Sequence, residues 1–173
     1  ARESEPLVVI NELVAHNIQG LEDEDGQLQD WIELRNPSEQ PISLAGWALS
    51  DDADVPRKWP LPARTLEIGA YLVVFASGKD RASGELHASF ALDRDGEYLA
   101  LTGPSGNVYP LGSAFPLQIG GFSYARVDDG SSWAYTPYPT PGEPNALSEG
   151  LFVKDGTLET SGEGHFPTRF VIP

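Results

Sequence analysis

The sequence predicts an all-β protein in which two sheets pack face to face as a β-sandwich. About nine or ten short runs, most alternating apolar and polar side chains, recur at a spacing of roughly 8–12 residues. The 18 glycines and 15 prolines are scattered, as in a chain of many turns. No window carries the sustained apolar period of a helix. An up-and-down barrel fits the same alternation, but uneven loops and proline-rich edges favour the sandwich.

The central strand is predicted at residues 30–36, whose sequence is DWIELRN. Its alternation places Glu33 on the face opposite the most apolar side chains. The N-terminal strand, residues 7–15, carries Glu12 in an otherwise apolar row. Glu12 and Glu33 could form a carboxylate pair for acid–base catalysis, or each could accept hydrogen bonds in the core. We expect the second, because a buried carboxylate must be partnered.

The remaining strands are predicted in chain order. Residues 42–50 contain Gly46, which predicts a bulge or a close approach of another segment. The proline-rich residues 58–62 are typical of an edge strand, because proline cannot donate to a ladder. A hairpin is predicted to join residues 88–92 to residues 97–101. The other predicted strands are 65–68, 71–75, 108–111, 122–127 and 133–136.

Charge and composition exclude several classes of function. The chain has 26 acidic and 11 basic residues, a net charge of −15, so its surface repels nucleic acid and anionic membranes. It has no cysteine, which excludes disulfides and thiolate chemistry. Its longest strongly apolar run, residues 70–76, is too short for membrane insertion. The chain does not begin with methionine, and we expect it to be a piece of a longer exported protein.

Two acidic loops are candidate calcium sites. Calcium takes roughly six to eight oxygen ligands, which clustered carboxylates can supply. In the first loop the predicted ligands are Asp23, Asp25 and Asp30, with Glu22 or Glu24 as a fourth. The alternative is a solvated acidic turn on an acidic protein. The second candidate loop contains Asp51, Asp52 and Asp54.

The histidines and aromatic residues give weaker predictions. His16, His87 and His165 lie in no zinc or nucleophile motif, so we expect them at the surface or in packing and expect no transition-metal site. Trp59 and Tyr138 stand beside prolines and are predicted to be exposed. Either ring could stack on a sugar as a ligand-binding residue. The alternative for both is packing.

Several sequence blocks, in this order and at this spacing, resemble the lamin-tail domain as it occurs in exported bacterial proteins. The resemblance covers residues 7–146 and implies an immunoglobulin-like β-sandwich of Greek-key type without a catalytic residue. The blocks that carry it are VVINELVAHN at 8–17, DWIELRNPS at 30–38, ISLAGWALSDD at 42–52, LHASFALDRDGEYLALTGPSG at 86–106 and TPGEPN at 140–145.

We therefore expect a sandwich domain over residues 7–146 and a C-terminal extension over residues 147–173. The extension is either a strand pair of the same domain, the start of a following module, or a swapped strand pair through which the protein self-associates. The predicted function is a non-catalytic binding, adhesion or structural module of an exported bacterial protein, outside the cell or on its surface. Its expected partner is a protein or a cell-surface polymer. The alternative is a carbohydrate- or calcium-binding module attached to a secreted hydrolase or nuclease.

Overall fold

The computed structural model of the chain describes residues 7–127, 132–146, 151–154 and 157–160. The other residues of the predicted extension, and with them His165, lie outside the described residues. All regular elements in the described ranges are β-strands, which confirms the all-β prediction. Within the same ranges, no helix has the length and hydropathy needed to cross a bilayer.

The described residues contain fourteen strands. They are β1 (Val9–Val14), β2 (Trp31–Arg35), β3 (Ile42–Ser43), β4 (Ala48–Ser50), β5 (Trp59–Pro60), β6 (Thr65–Leu66), β7 (Tyr71–Phe75), β8 (Leu86–His87), β9 (Ala100–Thr102), β10 (Val108–Pro110), β11 (Ser123–Arg126), β12 (Trp133–Thr136), β13 (Leu151–Lys154) and β14 (Thr157–Thr160).

Two sheets form the sandwich. The larger has six strands in the order β12-β11-β1-β2-β7-β8, and the smaller has four in the order β10-β9-β4-β5. Strands β7 and β8 run parallel, and the other neighbours in these sheets are antiparallel. β2 lies between β1 and β7, so the predicted central strand is confirmed. The pairs β3–β6 and β13–β14 form separate two-stranded ribbons.

The core lies between the sheets. Ile32 and Leu34 of β2 face it, and they are joined by Leu49 of β4 and Leu101 of β9. The other face of β2 is also covered, because Trp31 belongs to a second, smaller buried cluster with Val14 and Phe75. Loops cover this outer face. Glu33 of β2 is therefore buried as well, and Arg35 at the end of the strand is partly buried.

The side chain of Asn36 forms hydrogen bonds that stabilise the end of β2. Its Nδ2 donates to the carbonyl oxygens of Gln40 at 2.8 Å, Leu66 at 3.0 Å and Glu67 at 3.1 Å. Its Oδ1 accepts from the backbone N–H of Ser38 at 3.0 Å and from the Ser38 hydroxyl at 2.7 Å. One buried amide therefore holds the turn after β2 and the segment that leads from β6 into β7.

The hairpin predicted between residues 88–92 and 97–101 is wrong. The turn at residues 93–96 exists, with the Gly96 N–H donating to the Asp93 carbonyl at 3.0 Å. The segments on either side of it do not pair with each other, because β9 pairs with β4 and β10 instead. Alternation indicates that a strand is present, but it does not identify the partner of that strand.

The close approach predicted at Gly46 is confirmed. Gly46 has a φ of +81°, and a Cβ there would lie 3.1 Å from the Cβ of Pro104. This glycine divides the single strand predicted over residues 42–50 into β3 and β4. The edge position predicted for residues 58–62 is also confirmed, because β5 ends the four-stranded sheet.

Candidate functional site

Two carboxylates are buried side by side on the outer face of the larger sheet. Glu12 of β1 and Glu33 of β2 are Cα partners across the ladder, next to a register shift between Ile10 and Glu12. Both side chains are 0% exposed. The structure therefore brings together the two acids that the sequence offered as a pair.

The loop after β12, residues 137–146, closes over these acids, and we call it the closing loop. The backbone N–H of Thr140 lies 3.1 Å from both carboxylate oxygens of Glu12, and the Thr140 hydroxyl donates to Oε2 at 3.1 Å. The Gly142 N–H donates to Glu33 Oε2 at 2.6 Å. From the sheet itself, the hydroxyl of Ser123 donates to Glu12 Oε1 at 2.5 Å.

A pair of asparagines completes this network. The Nδ2 of Asn11 donates to Glu33 Oε1 at 2.8 Å and to Asn145 Oδ1 at 2.9 Å. In return, Asn145 Nδ2 donates to the carbonyl oxygens of Arg126 at 2.8 Å and Asn11 at 3.2 Å. The end of the closing loop is thereby tied to both β1 and β11.

The surroundings shift the acidity of both carboxylates in the same direction. Burial raises the pKa of Glu12, and it raises the pKa of Glu33 to about 7. The charge of Glu12 adds to the shift at Glu33, while the hydrogen bonds from Gly142 and Asn11 oppose it. An acid–base pair needs access to substrate and pKa values that are driven apart. The expectation that these acids accept hydrogen bonds in the interior is confirmed.

The first acidic loop, residues 22–26, carries its own counter-charges. Lys79 Nζ lies 2.5 Å from Asp23 Oδ2 and 2.6 Å from Asp25 Oδ2, and Arg81 Nη2 lies 2.9 Å from Asp25 Oδ2. Hydrogen bonds from Lys79 and then Arg81 lower the pKa of Asp25. The third predicted ligand, Asp30, accepts instead from the backbone N–H of Asn17 at 2.9 Å. Calcium binding by Asp23, Asp25 and Asp30 stays a prediction.

The second acidic loop is arranged in a similar way. Asp51 lies 2.7 Å from the ammonium group of Lys58. Asp52 accepts a hydrogen bond from the backbone N–H of Asp54 at 2.9 Å, as in an Asx turn. These contacts engage two of the three carboxylates. The calcium test concerns the first loop, because a single cation, Lys79, contacts two of its predicted ligands and can be removed by one substitution.

Replacing Lys79 with methionine is expected to raise the calcium affinity of the first acidic loop by at least about tenfold. The ammonium group lies between one oxygen of Asp23 and one oxygen of Asp25, so Ca²⁺ has to compete with it for the same atoms. Isothermal titration calorimetry at low ionic strength measures the calcium affinity of Lys79→Met and of the wild-type chain. The matched control is Arg94→Met, which removes one exposed positive charge elsewhere. Equal gains in both variants, or no calcium heat in Lys79→Met, would contradict the prediction.

The two predicted aromatic contacts have different settings. Trp59 is only 2% exposed, and its indole N–H donates to Asp80 Oδ1 at 3.0 Å. The expectation that Trp59 is exposed is therefore wrong: β5 is an edge strand, but this side chain faces the core. Tyr138, in the closing loop, is 54% exposed. A ligand contact at Tyr138 stays a prediction.

A groove of about 530 Å³ runs between the closing loop and the outer face of the larger sheet, and we call it the proline groove. One wall contains Pro137, Pro139 and Pro141 of the closing loop. The other wall includes Leu21 and Trp31. The groove thus lies beside the buried acids, and its lining is mainly apolar.

Sequence reasoning found the two acids but missed the residues that satisfy them. Thr140, Gly142 and Asn145 lie more than a hundred residues after Glu12 and Glu33, and two of the contacts use backbone N–H groups that no side-chain pattern reveals. The usable signal was the short TPGEPN segment itself. Proline and glycine in such a loop leave backbone N–H groups without partners inside the loop, and these groups can donate to an anion.

A comparison with protein families identifies a match. A model of the Lamin Tail Domain family matches residues 1–111, which include strands β1 to β10, both buried acids and the first acidic loop. The match ends before β11, β12 and the closing loop. No curated protein sequence matches the chain.

Proposed function

The chain belongs to the Lamin Tail Domain family, and from this premise we propose that it is a non-catalytic binding module of an exported bacterial protein. The family consists of non-enzymatic, immunoglobulin-like modules. In this proposal the module works outside the cell and holds a partner protein on its surface. Its buried carboxylates serve to close the fold, which leaves recognition to the loops that surround them.

The proline groove is the observation that carries this proposal. Its volume of about 530 Å³ falls within the range of roughly 300–1,000 Å³ that is usual for binding sites. Two large exposed side chains stand beside it in the sequence: Ile18 next to the lining residue Asn17, and Tyr138 between two lining prolines. Exposed apolar side chains around a concave surface mark a contact site.

The wall of the groove is held in place by the interior of the domain. Thr140 and Gly142 of the closing loop donate to the buried acids on either side of Pro141, so the prolines are anchored rather than loose. Proline also fixes its own φ angle, which removes backbone freedom from the same segment. A surface that is already ordered loses little entropy when a partner binds.

A partner protein with an apolar side chain for the groove and basic groups around it fits this surface best. The apolar lining favours an apolar anchor, and the net charge of −15 attracts a basic surface. A second candidate is a carbohydrate, which the exposed ring of Tyr138 favours because aromatic faces stack on sugars. In that version the module brings a secreted hydrolase or nuclease to a polymer.

Ile18→Ala and Tyr138→Ala are each expected to weaken binding of a groove ligand by about tenfold, since each removes a large exposed apolar contact. Ile68→Ala is the matched control, because Ile68 is 58% exposed, close to the 56% of Ile18, but neither of its sequence neighbours lines the groove. The probes are a peptide-display library rich in basic and apolar residues and a panel of bacterial and plant polysaccharides.

The outcomes separate the two candidates. Peptides whose affinity falls in Ile18→Ala and Tyr138→Ala but not in Ile68→Ala support a protein partner. Polysaccharide binding that falls only in Tyr138→Ala supports the carbohydrate alternative. Equal affinities in all three variants would exclude the groove as the contact surface.

A further inference from the structure

His87 is a buried histidine with one unused nitrogen. It lies on β8, its side chain is fully buried, and its ring stacks on Phe75 with 5.2 Å between ring centroids. The Nδ1 atom lies 2.9 Å from the hydroxyl oxygen of Ser77. The Nε2 atom is buried and has no hydrogen-bond partner. An unsatisfied buried nitrogen is costly, so it points to a group that binds there.

Two carboxylates stand beside this histidine. Glu24 comes from the first acidic loop and Glu85 precedes β8. One oxygen of each, together with one ring nitrogen of His87, forms a set of three atoms that all lie within 4.8 Å of one another. Because Nδ1 is engaged with Ser77, Nε2 is the nitrogen available to a metal ion. The three residues come from two separate loops and one strand, which the fold brings together.

Each of the three side chains makes a contact through one of its polar atoms, which leaves its second polar atom available as a metal ligand. Glu24 Oε1 lies 3.0 Å from Arg81 Nη1, and Glu85 Oε2 accepts the backbone N–H of Glu24 at 2.5 Å. The imidazole is held through Nδ1 by Ser77. Contacts of this kind orient metal ligands in proteins, since they fix the group and leave the other atom directed at the ion.

From this arrangement we propose that Glu24, Glu85 and His87 form a binding site for a divalent transition metal of the zinc class. Zinc accepts imidazole nitrogen and carboxylate oxygen at about 2.0–2.2 Å, usually with four ligands, so a water or a partner group takes the fourth position. Closing the three atoms onto an ion needs shifts on the order of 1 Å, which the exposed carboxylate of Glu24 can make. An imidazole ligand favours zinc over calcium.

The surroundings suit a neutral imidazole. Burial, followed by the charges of Lys79 and Arg81, lowers the pKa of His87, which favours the form with a free lone pair. If Nδ1 carries the proton, it donates to Ser77, and Nε2 is left as the ligand atom. The positive charges of Lys79 and Arg81 repel a metal ion, but each is paired with acid: Lys79 with Asp23 and Asp25, and Arg81 with Asp25. The metal would tie the first acidic loop to β8.

Zinc titration of the intact chain tests the proposal, with calorimetry for affinity and thermal unfolding for stability. We expect Zn²⁺ at about a hundredfold excess over its Kd to raise the Tm by about 5 °C or more. Glu85→Gln and Glu24→Gln should each weaken zinc binding at least about tenfold. The matched control is Glu22→Gln, which removes an exposed charge from the same loop, and it should leave the affinity within about twofold of wild type.

The ring of His87 provides a readout that does not depend on a destabilising substitution. In ¹⁵N NMR spectra of the wild-type chain, Zn²⁺ should shift the Nε2 resonance of His87, and Co²⁺ should broaden it. Zinc binding that leaves this resonance unchanged, or that is as tight in Glu85→Gln and Glu24→Gln as in wild type, would overturn the proposal. No zinc binding to the folded wild-type chain at millimolar concentration would overturn it too.

Discussion

Asn36→Asp is expected to lower the free energy of unfolding by about 3–4 kcal/mol, one of the two largest effects among the tests proposed for this protein. The substitution keeps the shape of the side chain but replaces its N–H donors with an oxygen. That oxygen would face the carbonyl groups of Gln40, Leu66 and Glu67 in a buried site. An unpaired acceptor among acceptors has no water to relieve it.

Urea denaturation at pH 7 measures the effect of Asn36→Asp. Asn107→Asp makes the same chemical change in an exposed turn between β9 and β10 and is expected to cost less than about 1 kcal/mol. A loss in Asn36→Asp no larger than the loss in Asn107→Asp would show that the corner after β2 is not a main determinant of stability.

The stability of the wild-type chain is expected to fall by about 3 kcal/mol as the pH rises from 4.5 to 7.5, and Glu33→Gln should remove most of this slope. Burial raises the pKa of Glu33 to about 7 from an ordinary value of 4.5. The folded state therefore keeps a proton that the unfolded chain has released. The stabilisation is fully present below pH 4.5 and is lost as the pH rises through about 7.

Other groups set the limits of this pH window. Burial also raises the pKa of Glu12 and Asp30, so both act in the same direction as Glu33. Burial would raise the pKa of Asp23, but the hydrogen bond from Lys79 and two backbone donors lower it overall. Asp23 and Asp25 therefore reduce stability only when the pH falls below their ordinary value of 3.8. His87 acts in the opposite direction, because burial lowers its pKa and its contribution to stability is lost as the pH falls below its ordinary value of 6.5. The raised carboxyl groups outnumber it, so we expect the chain to be more stable at about pH 5 than at about pH 7.5.

Urea denaturation of wild type, Glu33→Gln and Glu39→Gln at several pH values between 4.5 and 8 checks this. Glutamine resembles the protonated form of Glu33, so the variant should lose most of the slope over this range and keep only the part due to Glu12 and Asp30. Glu39 is exposed, and Glu39→Gln should keep the wild-type slope. A steep slope that persists in Glu33→Gln would assign the proton to another group, with Glu12 as the first candidate.

The features predicted correctly from the sequence are those with local signals. The alternation in DWIELRN identified β2, because a strand with two different faces imposes a period of two on its own residues. Gly46 was predicted as a close approach because a glycine inside a strand pattern leaves room for a neighbouring segment. The proline content of residues 58–62 gave the edge position of β5 for an equally local reason.

The features that escaped prediction are contacts between distant parts of the chain. The pairing of β9 with β4 depends on how the whole sheet is assembled. The ion pairs of Asp23 and Asp25 with Lys79 join residues more than 50 positions apart. Trp59 was expected at the surface because its neighbours are prolines, but the direction of a side chain on an edge strand depends on the sheet to which the strand belongs.

The attachment of the closing loop to β1 and β2 has a consequence for how this protein can be shortened. A fragment truncated at residue 111, where the family match stops, would lack β11, which pairs with β1, and every donor that the closing loop gives to Glu12 and Glu33. Such a fragment would have an open sheet edge, and Glu12 and Glu33 would lack the hydrogen-bond donors of the closing loop. Recombinant production and proteolytic trimming therefore have to retain the chain through Asn145 for the N-terminal strands to remain folded.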